Sequence, residues 1–466
     1  MELLNQLVGT ANDIIWSYLL MALLLVCAIL FTIKSRFVQF RLIREMFILI
    51  LSKGQKPQKG QRHVSSLQAF IVSLAGRVGT GNLAGVATAL AIGGAGSVLW
   101  MWITALLGSA ISFFECTLAQ LYKVRKGDGF IGGPAYYMLH GSKQRGLAMF
   151  FAVLSAACFG VSYNTVHSNT ICAAVQESFH ISPVYIGLFL FVGTLFIIFG
   201  GLHRIIRASS VIVPVMASIY ILLAITVVVL NVGKLPGIIE QIVTQAFSMK
   251  AAVGGGIGAA LTQGIRRGLY SNEAGMGTSP NVAATAHISH PVKQGLIQAF
   301  GVFVDTLVIC TCTAFIILLS PIPLDGTANG IQLTQRALSE HIGNSGSLFI
   351  ACTVLMFAFS TILSNYYYGE SNLRFFTSNK KVLAIYRVMA SMVVFFGAIA
   401  SLELTWNLAD LAMGLMTLCN VAAMSLLVKP VIMLLKDYER QRKSGADPVF
   451  KKDTMPELPG DIQCWE

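Results

Sequence analysis

Polar residues are so sparse along this chain that long apolar stretches, rather than any alternation, set its organisation. The first stretch, Ile14 to Ile33, holds no charged residue and is long enough to cross a ~30 Å hydrocarbon core as a helix. It is too long for the apolar part of a signal peptide, and no small-residue cleavage site follows it, so a retained span is predicted. Further spans are predicted near 65–92, 97–122, 147–177, 183–200, 204–231, 296–320, 345–371, 382–400 and 406–435, with a shorter, glycine-interrupted one near 237–268. The pattern predicts an all-α polytopic membrane protein of about eleven transmembrane helices.

Setting the first span aside leaves ten, five in each half. The first of each five carries a glycine cluster: Gly76-Arg-Val-Gly-Thr-Gly81 in one half, Gly254-Gly-Gly-Ile-Gly258 in the other. An odd number of spans per half inserts the second half upside down relative to the first. Paired glycine-interrupted spans in matching positions are the sequence mark of a secondary transporter's binding site. A helix unwound inside the membrane frees N–H and C=O groups, each costing several kcal/mol unless satisfied. An anionic ligand satisfies the N–H groups and a cation the carbonyls. The expected organisation is an N-terminal helix with a basic interfacial segment (1–63), a first five-helix repeat (64–232), a second, inverted repeat (233–436) and a cytoplasmic tail (437–466).

Composition agrees. Of the 466 residues 55% are hydrophobic and 12% charged, where a soluble domain carries about 25% charged residues. The net charge of +12 does not imply nucleic acid, because of where it falls. With the N-terminus outside, alternate loops, the span ends that adjoin them and the tail collect 28 of the 33 Lys and Arg residues, the positive-inside distribution. The expected location is the bacterial inner membrane, with the C-terminus cytoplasmic and the basic excess facing anionic lipid.

Gly79-Thr80-Gly81-Asn82-Leu83-Ala84 also fits the G-x-G-x-x-A form of a dinucleotide-binding loop. That reading needs a strand before the glycines and an acidic residue about 20 positions after them. Here a membrane span precedes, and the first acid is Glu115. There is no HExxH, no GxSxG and no paired Cys/His spacing, so neither an enzyme nor an organic cofactor is expected. Eight of the nine cysteines lie in apolar spans and Cys464 in the tail, which suits packing better than zinc or disulfides. Nothing points to an obligatory protein partner. A channel or an amino-acid sensor on the same scaffold remains an alternative class.

Several long motifs in order resemble the alanine or glycine:cation symporters, usually sodium-coupled, which have a LeuT-like fold. They are GTGNLAGVATALAIGGAGSVLWMW (79–102), GFIGGPAYYM (129–138), QGIRRGLYSNEAGMGTSPNVAATA (263–286), HPVKQGLIQAFGVFVDTLVICTCTA (290–314) and TWNLADLAMGLM (405–416). The resemblance implies inward symport of a small neutral amino acid with sodium, or with a proton as the alternative coupling ion. It implies that Gly79, Thr80, Gly81 and Asn82 meet the amino acid, and that Gly254, Gly255 and Gly256 form the opposing wall. It implies a sodium site from the carbonyls of Ala75 and Val78 and the hydroxyls of Ser360 and Thr361. Trp406 is expected as a lid or, equally, as an interfacial anchor. His167 stands where the family commonly has Gln, lining the pocket or packing in the core.

Ionisable residues within spans are functional candidates. Arg77 lies in the first break and Asp305 in the seventh core helix. The two are expected to pair, the guanidinium standing in for a second sodium. Glu273, in a polar stretch after the second broken helix, is expected on the cytoplasmic side, fixing a loop or an inner gate. Arg266 and Arg267 beside it are expected as its gate partners or as positive-inside residues.

Overall fold

The computed structural model describes residues 8–12, 14–52, 64–127, 129–247, 256–324, 328 and 330–465. It is built of helices, with one two-stranded hairpin, β1 (Val124–Lys126) and β2 (Gly129–Ile131). Helix α1 (Leu20–Lys34) is followed by a short turn and the amphipathic α2 (Ile43–Leu51). The bent pair α3 (Ser66–Arg77) and α4 (Val86–Gly93) comes next, then α5 (Gly96–Leu121). Beyond the hairpin lie α6 (Pro134–His140), α7 (Arg145–Phe179), α8 (Pro183–Ile198) and α9 (Gly201–Leu230). The second half holds α10 (Leu235–Ala246), α11 (Gly256–Asn272), α12 (Ser279–Ala283), α13 (Pro291–Leu318), α14 (Ile331–Ile342), α15 (Ser345–Phe376), α16 (Lys380–Ile399), α17 (Leu402–Leu426) and α18 (Val428–Lys443).

Among the described residues seven helices are long and apolar enough to cross a membrane, and the bent pair makes an eighth span. Leu20–Lys34 and Pro183–Ile198 are shorter apolar helices. The span expected near 237–268 runs through residues outside the described set. On α9, Val211, Val215, Ile219 and Leu222 are exposed at helical spacing, an apolar stripe that only lipid accommodates. Helix α5 packs along α11 and α13, and α7 along α15 and α16, which puts α3 and its break in the interior.

Both breaks have local causes. A capping box starts α3: the Gln68 N–H donates to Ser65 Oγ (3.1 Å) and the Ser65 N–H to Gln68 Oε1 (2.9 Å). The helix stops where Val78 turns extended, and the chain resumes through a wide π-type turn, Gly81–Gly85, bent by 45°. The second described break does not fall on the expected glycines. Gly254 and Gly255 lie outside the described residues, and Gly256 opens α11. The chain unwinds further on, at 273–278, where Glu273, Gly275 and Gly277 take positive φ (55°, 85° and 84°). A helix cannot pass through alternating left-handed residues. Glu273 therefore sits inside the break, buried, rather than in a cytoplasmic loop.

Candidate binding site between the two breaks

The first break packs tightly against α11 and α15. A Cβ on Gly81 would lie 2.9 Å from the Ser271 Cα, and one on Gly79 would lie 2.5 Å from Thr361 Oγ1. Only glycine lets the first break come this close to α11 and α15.

On the α15 side, Thr361 Oγ1 lies 2.8 Å from the Ala75 carbonyl, 3.2 Å from that of Val78 and 3.0 Å from that of Phe357. One hydroxyl hydrogen cannot serve three carbonyls. Two of these carbonyls were freed by the break, so the oxygens converge as a cage that suits a desolvated alkali cation. Ala75, Val78 and Thr361 thus come together as expected. Ser360 does not join them: its hydroxyl turns back to Phe357 O (2.8 Å). Adjacent residues on a helix point about 100° apart, so only one of the pair faces the break.

On the α7 side, Thr80 Oγ1 and His167 Nδ1 are 2.9 Å apart, with both residues buried. The Gly79 N–H donates to Asn82 Oδ1 (2.9 Å). Above them Tyr270 stacks on Tyr163, ring centroids 5.1 Å apart, and meets Trp406 at 4.8 Å. The Arg267 guanidinium lies 4.4 Å from the Trp406 ring. It also grips Asp410 with two hydrogen bonds, of 3.2 and 2.9 Å. Arg266 approaches Asp410 at 3.6 Å. Both arginines belong to α11, before the second break, and turn to Asp410. Trp406 is 9% exposed and packs between Tyr270 and Arg267. Sequence reasoning missed Tyr163, Tyr270 and Asp410. Spacing would have found them: Tyr163 with His167 and Trp406 with Asp410 are i,i+4, and Arg267 with Tyr270 is i,i+3.

The expected Arg77–Asp305 pair does not form. Arg77 donates to the Gln298 carbonyl and to Ser112 Oγ, each at 2.9 Å. Gln298 precedes Asp305 by seven residues, about two turns or ~10 Å of helix. Asp305 instead accepts from Asn82 Nδ2 (2.7 Å), Ser271 Oγ (2.7 Å) and Thr306 Oγ1 (2.8 Å). No cation lies within 4 Å of it among the described residues.

The second break is held by other side chains. Glu115 Oε2 accepts from the Gly277 N–H (3.2 Å) and from Asn420 Nδ2 (3.0 Å), and Asn420 Nδ2 also reaches the Gly275 carbonyl (2.9 Å). Asn281 Nδ2 donates to the Gly277 carbonyl (2.8 Å).

A broken helix inside a polytopic bundle, with freed carbonyls gathered at its break, is the architecture of a secondary transporter. The comparisons agree and narrow this class. Residues 1–452 match the sodium:alanine symporter family. The chain is 49% identical to the amino-acid carrier protein AlsT of Bacillus subtilis, over 99% of this chain and 98% of that one. It is equally identical to the probable sodium/glutamine symporter GlnT of the same organism, over 100% and 96%. The structure of MhsT in complex with L-phenylalanine superposes with a TM-score of 0.52 at 12% identity, covering 81% of this chain and 99% of that one, a likeness of fold. The chain belongs to the sodium:alanine symporter family. It is a multi-pass membrane protein with a LeuT-like fold that carries amino acids in symport with sodium.

Proposed function

We propose that the protein moves a small neutral amino acid, alanine first, into the cell together with sodium, by alternating access around the first break. The observation that carries this reading is the convergence of the Ala75 and Val78 carbonyls on Thr361 Oγ1, which supports a sodium site there. The amino acid's carboxylate would face the backbone around Thr80 and Gly81, at the start of the outer half-helix, where N–H groups point at an anion. The Asn82 side chain closes the Gly79 N–H and so shapes this cradle. His167 would line the pocket through Thr80, and Trp406 with Tyr270 would limit the size of the transported side chain. Arg267–Asp410 would close the outer path. The two halves would act as inverted repeats, with the N-terminus outside and the C-terminus cytoplasmic.

A proton as coupling ion is the second reading. Asp305 favours it, as a buried carboxylate beside the first break with hydroxyl and amide donors but no cation partner among the described residues. Uptake of labelled alanine into proteoliposomes, with sodium and pH gradients imposed separately, decides between them. Accumulation driven by sodium alone is expected. Accumulation driven by pH alone would overturn the sodium reading. Flux that never exceeds equilibration would mark a channel, and binding without flux a sensor.

A further inference from the structure

The tail after α18 folds back onto the inner end of the bundle. The Phe450 N–H donates to the Ser289 carbonyl (2.9 Å), and the Asp461 N–H to that of His140 (2.9 Å). Tyr122 Oη donates to the Pro459 carbonyl (2.7 Å) and Trp465 Nε1 to that of Gln120 (3.0 Å). Phe450, Met455, Leu458, Ile462 and Trp465 are all buried, so this polar-looking segment is packed rather than trailing.

The packing ends on one ammonium group. Lys123 follows α5 at the inner face and is buried. Its Nζ lies 4.1 Å from the centre of the Phe130 ring in β2 and 4.6 Å from that of Trp465. It donates to Gln120 Oε1 (2.8 Å) and to the Ala286 carbonyl (3.1 Å). Gln120 Nε2 donates in turn to the carbonyls of Ala283 and Ala286. The Ala283 carbonyl ends the inner half-helix α12, the piece beyond the second break, and that of Ala286 lies three residues past it, at the bridge to Val64. Next to them the His287 N–H meets the Val64 carbonyl (3.0 Å), so the entry to α3 is fixed to the same point. Both inner half-helices are therefore held where the tail presses.

We propose that residues 447–465 form the inner latch of the transporter and that Lys123 is the positioning residue through which the latch acts. Trp465 and Phe130 clamp the ammonium, the ammonium and Gln120 hold the carbonyl end of α12, and the tail lifts before the inner path opens.

The test is hydrogen exchange of the full chain in lipid nanodiscs, read on the peptide covering 279–287 and on one from α11. Trp465→Ala and deletion of residues 447–466 should each speed exchange of the inner peptide roughly threefold to thirtyfold, the range one cation–π contact is worth, and leave the α11 peptide unchanged. Lys123→Gln should by itself speed exchange of the inner peptide and remove the further response to Trp465→Ala, and Lys123→Arg, which keeps a cation between the two rings, should restore both. Unchanged exchange at 279–287 in both Trp465→Ala and the deletion would overturn the latch, as would an equal rise in both peptides. None of these readouts depends on which amino acid is carried.

Discussion

The two breaks use different means to solve the same problem, the unpaired backbone of an unwound membrane helix. The first is short and leaves its carbonyls to a single hydroxyl, Thr361, which cannot satisfy them all. The second is longer, contains three left-handed residues, and has its freed groups met by Glu115, Asn281 and Asn420. An under-satisfied break invites a ligand, whereas a bonded one acts as a hinge. The proposed reading follows this contrast: ion and substrate at the first break, motion at the second.

The strongest way to break this contrast is Gly79→Ala. The new Cβ would lie 2.5 Å from Thr361 Oγ1 and 3.3 Å from His167 Cε1, and the threonine is held in place by the carbonyls. Overpacking of this kind costs up to about 3 kcal/mol, so a loss of sodium-driven uptake on the order of 100-fold is expected, with membrane insertion unaffected. Thr361→Val comes next. It keeps the shape and removes the hydroxyl, and the sodium concentration for half-maximal uptake should rise by about 10-fold, the scale of one hydrogen bond to a charged group. An unchanged sodium dependence would remove Thr361 from the ion site.

Glu115→Ala sharpens the other side. It leaves the Gly277 N–H without its acceptor and Asn420 Nδ2 with the Gly275 carbonyl alone, at about 1–3 kcal/mol for the buried orphan. Thermal unfolding should move down, while sodium affinity stays within about twofold; a large change in sodium affinity would make the second break part of the ion site. Trp406→Phe should have the smallest effect. Loss of the indole over Arg267 weakens outer closure by about 1 kcal/mol, seen as a few-fold gain in uptake of bulkier neutral amino acids relative to alanine.

Much of this was legible in the sequence because apolar length and glycine in a membrane span are one-dimensional signals. The first break, its glycines and the Ala75–Val78–Thr361 grouping fall where Gly76–Gly81 and the motif resemblance put them. The break at 273–278 was not foreseen because glycine density stood in for unwinding, and the glycines it pointed to, Gly254 and Gly255, lie outside the described residues. The described break begins at a non-glycine, Glu273, in a left-handed conformation that composition does not reveal. Arg77 and Asp305 look like partners in a list of buried charges. Their separation depends on how far along α13 each one reaches, and no spacing along the chain encodes that. The choice between Ser360 and Thr361 likewise turns on the rotation of α15 about its own axis.

Trp16, just before α1, donates from Nε1 to the Asp410 carbonyl (3.2 Å), and a Cβ on Gly414 would lie 2.8 Å from Ile15. The extra N-terminal helix is thus fastened to the stretch of α17 that bears the outer closure. Any swing of α17 drags a lipid-immersed rod sideways with it. On the alternating-access reading, the drag of the surrounding acyl chains on that rod would oppose each swing.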